Sequence, residues 1–203
     1  MNTCLDCLPC IFRQTIDAAR RVSDDPAIHE RVARQVAAWI HDADLKESPP
    51  VMAQRLHRYL KDVTGIEDPY AEAKARDNAL ALSLMPELRE RLAVSSDPLL
   101  LAVRLAIAGN LIDLGPKHDL SAEEIRRSIR QVLDAPFSGD FETFRQAVAS
   151  SCDILYLADN AGEIVLDRLL VEVLGPARVT VAVRGAPVIN DATMEDARAV
   201  GLH

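Results

Sequence analysis

Asp159, Asn160 and Asp191 are the side chains whose types and spacing could do chemistry. Two carboxylates and one carboxamide make a hard, oxygen-only set. Such a set suits Mg²⁺, Mn²⁺ or a similar ion, with water and a phosphate group completing the octahedron. Arg184 stands near Asp191 in sequence and offers planar donors and a permanent charge to a phosphoryl group. Gly162-Glu163 opens an apparent helix, and the amino end of a helix favours an anion. Each residue has a plainer alternative. Asp159-Asn160 reads equally as an ordinary turn, Asp191 as a helix cap, Arg184 as a solvated surface residue, and Glu163 as dipole compensation.

A second cluster is Cys4, Cys7 and Cys10, spaced C-x2-C-x2-C at the start of the chain. Three of the four cysteines fall within seven residues, which is not the spread of a disulfide framework. Three readings stay open: small buried apolar residues, a redox-active dithiol, or a soft-metal site. Zinc or an iron–sulfur cluster requires a fourth ligand that the sequence does not identify, although Cys152 precedes a strand.

The carboxylates need elements to hold them. Ile154 to Ala158 is a short strand pattern, and Glu163 to Leu174 is an amphipathic helix closed by Gly175-Pro176. Val179 to Val183 is β-branched and continuously apolar, as in a buried parallel strand. A helix opens again at Ala192-Thr193-Met194-Glu195. This βαβ order predicts two parallel strands side by side, about 5 Å apart. Their carboxyl ends then share one edge, where open α/β sheets bind ligands. The loops bearing Asp159-Asn160 and Asp191 are expected to converge there.

Upstream the pattern is helical. Leu8, Ile11, Phe12, Thr15, Ile16 and Ala19 form one stripe, and Asp25-Pro26 starts a helix whose apolar face is Val32, Val36, Trp39 and Ile40. Ser48-Pro49-Pro50 starts a third that Gly65 ends, and Asp68-Pro69-Tyr70 begins another, broken near Pro86. Leu99 to Leu114 is apolar on nearly every side except Arg104, Asn110 and Asp113, as in a central buried helix. Ser121 with Glu124 has the capping-box spacing, and a last helix spans Phe141 to Ala149. The expected fold class is α/β: a helical domain over residues 1–150, followed from 151 to 203 by a βαβ-type, Rossmann-like parallel-sheet domain.

A formal net charge of −8 disfavours nucleic acid. No apolar run reaches membrane-spanning length, and the first residues lack a basic region typical of a signal peptide. The expected location is cytoplasmic.

The residues quoted above resemble the damage-control phosphatases. The opening Cys4-x-x-Cys7-x-x-Cys10 with Gln14 is similar to the stand-alone prokaryotic branch, which is related to the acidic-residue methyltransferase-like proteins. Asp68-Pro69-Tyr70 with Lys74 and Asn78, then Gly109-Asn110-Leu111-Ile112-Asp113, fit the helical region. Asp159 to Val165 and Arg184 to Thr193 fit the metal-site core. The resemblance implies a divalent ion (Mn, Co, Ni or Mg) held by Asp159, Asn160 and Asp191. It implies hydrolysis of phosphate monoesters of small damaged or side-product metabolites. Asp159 and Arg184 would be catalytic, and Asn110, Asp113, Glu163 and Arg184 would face substrate. Asn110 and Asp113 also read as polar residues satisfied at a helix end. The nucleophile is either Asp159 or a metal-activated water.

Members of the family usually continue with further strands and a lysine-bearing loop, whereas this chain stops at Gly201-Leu202-His203. Two strands leave two unpaired edges. The expectation is therefore a C-terminally truncated sheet domain, or a second protomer or partner chain over those edges. The alternative functions are a non-catalytic metal-binding or interaction module and, less in keeping with the Asp-Asn-Ala-Gly-Glu turn, a methyltransferase.

Overall fold

The computed structural model of the protein describes residues 2–111 and 122–202. Ten helices and two strands follow in the order α1 (Cys7–Val22), α2 (Pro26–His41), α3 (Pro49–Thr64), α4 (Ala71–Leu82), α5 (Met85–Ala93), α6 (Pro98–Leu111), α7 (Ala122–Asp134), α8 (Phe141–Ser150), β1 (Ile154–Leu157), α9 (Glu163–Leu174), β2 (Val179–Ala182) and α10 (Met194–Ala199) among these residues. A single 3-10 turn, Pro176–Arg178, joins α9 to β2. The fold is mostly helical with one small parallel sheet, in keeping with the α/β expectation. Asp113 and Ser121 lie outside the described residues, as do the end of the expected central helix and its Gly115-Pro116 stop.

The chain forms two compact units. The first comprises Met1–Glu72 with Ala186–Ile189. Its core is Ala18, Ala19, Val32, Val36, Leu56, Leu60 and Tyr70, contributed by α1, α2, α3 and the turn before α4. The sequence explains two of its helix boundaries. Asp25 accepts from the Ala27 N–H at 2.9 Å to start α2, and Pro26 occupies its first turn. Gly65 ends α3 in the left-handed conformation (φ 73°) that costs glycine little.

The second unit comprises Ala73–Gly185 and Asn190–His203. The change of texture near residue 150 marks where strands begin; packing divides elsewhere, because α5, α6 and α7 share one core with α9. Ala102, Leu105 and Ala108 of α6 are buried, as are Ile164, Val165, Leu166 and Leu169 of α9. Each large aliphatic chain so buried stabilises the unit by roughly 1.5–3 kcal/mol before entropy is counted. A Cβ on Gly109 would stand 3.3 Å from Glu163 Cα, so glycine sets how closely α6 and α9 approach. The break near Pro86 falls at Ser83-Leu84, and Pro86 sits in the first turn of α5, where its missing N–H costs nothing.

β1 and β2 pair in parallel with Ile154 opposite Val179 and Leu157 opposite Ala182. Among the described residues, no helix is long and apolar enough to cross a membrane.

Candidate active site

Beyond the paired strands, the chain continues as two loops that are sewn together. Asn160 and Asp191 form an isolated antiparallel bridge. The Ala192 N–H donates to Asp159 O at 2.7 Å, and the Ala161 N–H to Asn190 O at 2.9 Å. Arg184 joins through its backbone, with its N–H donating to Ala192 O at 2.9 Å. The structure thus brings Asp159, Asn160, Asp191 and Arg184 to one edge. Arg184 Nε donates to Asp191 Oδ2 at 2.6 Å. The arginine side chain keeps 51% of its surface exposed, against 12% for the aspartate. Arg184 is therefore paired with Asp191 and keeps an open face.

Glu163 opens α9 and collects donors. Asn160 Nδ2 lies 3.2 Å from its Oε2, and Asn110 Nδ2, at the end of α6, 3.3 Å from each carboxylate oxygen. Asn110 is thus tied to Glu163, as the close α6–α9 approach allows. The Glu163 carboxylate, in the first turn of α9, accepts from these two asparagine side chains. The N–H groups of Gly162, Ile164 and Val165 already donate, to Asn78 Oδ1, Asn160 O and Gly162 O. These three N–H groups of the helix start are engaged within the chain.

Burial pushes the Glu163 carboxyl up, and the charge of Asp159 adds to the push. Burial likewise raises Asp191, with Asp159 adding and Arg184 opposing. Several carboxylates therefore crowd one another. Their donor chemistry fits a hard divalent ion, which would relieve that repulsion. Among the described residues no three His, Cys, Asp or Glu side chains group into a ready metal cage. The Asp159, Asn160, Asp191 set contains only two such residues and would leave coordination positions to water and substrate.

A buried network sets both loops. Lys74 and Asn78, one helical turn apart on α4, reach Asp196 of α10. Lys74 Nζ is 2.8 Å from Asp196 Oδ2, and Asn78 Nδ2 is 3.1 Å from Oδ1. Asn78 Oδ1 accepts the Gly162 N–H at 2.7 Å, and Lys74 Nζ lies 3.4 Å from Asp191 O. Asp196 also completes a capping box with Thr193. Burial would raise the Asp196 carboxyl, but donation from Lys74 and Thr193 holds it below the usual range. The cap of α10 is therefore Thr193, and the reading of Asp191 as a cap is set aside. Sequence reasoning quoted Lys74 and Asn78 without a role and missed Asp196, whose only local signal was its three-residue spacing from Thr193.

Behind Glu163 on α9, Asp167 is buried and accepts from the Tyr156 hydroxyl at 2.6 Å. Burial, with Glu163 and Asp159 adding, pushes its carboxyl up to about 7.

The cysteines are not buried apolar residues: Cys4 and Cys10 are exposed and Cys7 is half-buried. Cys4 Sγ and Cys7 Sγ are 3.3 Å apart. With no three-residue ligand group among the described residues, nothing in the geometry supports zinc or an iron–sulfur cluster there.

Comparison with known proteins places this arrangement in context. The profile of the damage-control phosphatase ARMT1-like domain matches residues 3–202. A protein of Archaeoglobus fulgidus named damage-control phosphatase is 36% identical over 199 residues, covering 95% of this chain and 68% of the relative. An uncharacterised protein of Methanocaldococcus jannaschii is 32% identical over 205 residues, covering 95% and 66%. The crystal structure of a DUF89 family protein from Pyrococcus horikoshii superposes with a TM-score of 0.86 at 26% identity, covering 100% of this chain and 71% of that one. The chain spans about two thirds of the length of the curated relatives it matches.

Proposed function

The chain belongs to the damage-control phosphatase ARMT1-like family, and from that premise we propose that it is a divalent-metal-dependent phosphatase acting on phosphate monoesters of small metabolites. The Archaeoglobus fulgidus relative named damage-control phosphatase supports the reaction class. The observation that carries the site assignment is the backbone pairing of the Asp159-Asn160 loop with Asp191, which gathers hard oxygen donors beside Arg184. The parallel strand pair behind these loops is read as a Rossmann-like element.

In this reading Asp159, Asn160 and Asp191 hold the ion. When bound, a divalent ion supplies positive charge to the phosphoryl oxygens. Arg184, with its exposed guanidinium, binds the phosphoryl group and stabilises the charge that develops on it. Asn110 and Asn160 orient Glu163, whose raised carboxyl suits it to hold a proton near the site. Asp159 stands at the head of the loop, either as the nucleophile or as the group that orients water. Lys74 and Asn78 keep the two loops in register. Asp113, outside the described residues, keeps its assignment as a substrate-facing candidate.

The test is phosphate release by purified protein from a broad monoester panel with Mn²⁺, Co²⁺, Ni²⁺ or Mg²⁺. Turnover that chelation removes supports the proposal; silence across panel and metals sinks it. A non-catalytic metal-binding module predicts metal affinity without turnover.

A further inference from the structure

We propose that Cys4 and Cys7 form a reversible dithiol–disulfide couple at the start of α1, oxidised by low-molecular-weight disulfides of the glutathione class. The two sulfurs are 3.3 Å apart. A disulfide bond is about 2.05 Å long, so closure needs a movement of little more than 1 Å. The backbone is already shaped for it. The Cys7 N–H donates to Cys4 O at 3.1 Å, closing a four-residue turn whose end Cα atoms lie within about 7 Å. Disulfides span about 4.4–6.8 Å between Cα atoms.

The turn is held in place. Thr3, next to Cys4, is buried; its N–H donates to Leu45 O and Glu47 O, and its hydroxyl to Glu47 O at 2.7 Å. On the other side Cys7 begins a sixteen-residue helix with no acidic residue in its first turn. The pair thus sits on an anchored turn and is open to solvent on the Cys4 side.

The two thiols also differ. The two sulfurs share one hydrogen bond, which either can donate, and they differ in access: Cys4 is exposed and Cys7 half-buried. Cys4 is accordingly the attacking sulfur and Cys7 the resolving one. The Cys4 thiolate attacks one sulfur of RSSR, forming a Cys4–SR mixed disulfide and expelling RS⁻. Cys7, losing its proton to solvent, attacks Cys4 Sγ and expels the second RS⁻. The protein gives up two protons and two electrons, and the oxidant leaves as two RSH. Cys10 is not needed, and the couple is independent of the phosphatase reading.

The test uses the full chain, treated with chelator and equilibrated in glutathione buffers from reducing to oxidising. Thiols are then trapped by alkylation and mapped by mass spectrometry. The expected result is a Cys4–Cys7 link, lighter by two hydrogens, that appears in one two-electron transition while Cys10 and Cys152 are alkylated. C10S keeps the link; C4S and C7S lose it while retaining wild-type circular dichroism. A map that joins Cys10 or Cys152 to either partner overturns the proposal. So does full alkylation of Cys4 and Cys7 at the oxidising end, or stoichiometric zinc retained by these thiols after chelation.

Discussion

Arg184 and Asp191 close the loop between β2 and α10 on itself, with Arg184 Nε donating to Asp191 Oδ2 at 2.6 Å. Asp191 is at the same time backbone-bridged to Asn160. The cationic side chain proposed for phosphate and the carboxylate proposed for metal therefore share one oxygen.

A divalent ion held by Asp191 would have to share that carboxylate with Arg184. Arg184→Ala is expected to bind Mn²⁺ at least as tightly as the parent, because a competitor is gone. It should lose roughly 10²–10³-fold in turnover, the usual cost of removing one donor to a developing oxyanion. Calorimetric Mn²⁺ titration and phosphate release on the same preparation check both halves. Arg184→Lys should recover little, since a point charge does not replace the planar fork.

The Lys74–Asp196 pair is enclosed, with side-chain exposures of 4% and 7%. Removing one partner leaves a buried charge without its counter-charge. Lys74→Met is expected to destabilise the protein by about 3–5 kcal/mol, read from the urea midpoint. Asn78→Ala, which frees the Gly162 N–H and one oxygen of Asp196, should cost about 1–3 kcal/mol. A change in either variant below a few tenths would remove this network as the reason the two loops stay in register.

Asp167 supplies a pH dependence. Its folded carboxyl titrates at about 7 against an ordinary 3.8, raised chiefly by burial. The folded state thus holds the proton over a range where the unfolded chain has lost it. Its stabilising contribution is complete below about pH 4 and disappears as pH rises through 7. Asp167→Asn can still accept from Tyr156 and does not ionise. It should gain on the parent as pH rises, by on the order of 2–4 kcal/mol at pH 8. Melting temperatures of parent and variant at pH 4 and pH 8 test this; a constant difference would contradict it.

Gly109 predicts a steric link between α6 and Glu163. A methyl group there meets Glu163 Cα and Cγ at 3.3 Å. Gly109→Ala should cost about 1–3 kcal/mol through overpacking and should lower turnover by displacing Glu163. Unchanged stability and turnover would show that the α6–α9 approach is not tight.

Much of this is legible in the sequence itself. The β-branched run Val179 to Ala182 and the Ile154 to Leu157 run paired in parallel as βαβ order requires, and the loops after them met. Punctuation by Pro26, Pro49 and Gly65 marked helix ends because these residues act locally on the backbone. What local pattern could not reveal was the company each polar residue keeps. Lys74 and Asp196 are separated by 122 positions, and nothing in either segment announces the other. Asp191 looked like a cap because aspartate often is one; the cap is Thr193, two residues later. Glu163 reads locally as a first-turn acid, and nothing near it in sequence announces that Asn110, 53 positions away, donates to its carboxylate.

The central claim is that Asp159, Asn160 and Asp191 hold a divalent ion on which phosphate release depends. The most direct measurement pairs Mn²⁺ titration with phosphate release for the parent, Asp159→Ala and Asp191→Ala on folded protein. The account predicts that both variants lose at least tenfold in Mn²⁺ affinity and fall to background turnover. Variants that bind Mn²⁺ as the parent does, or a parent whose turnover survives chelation, would contradict it.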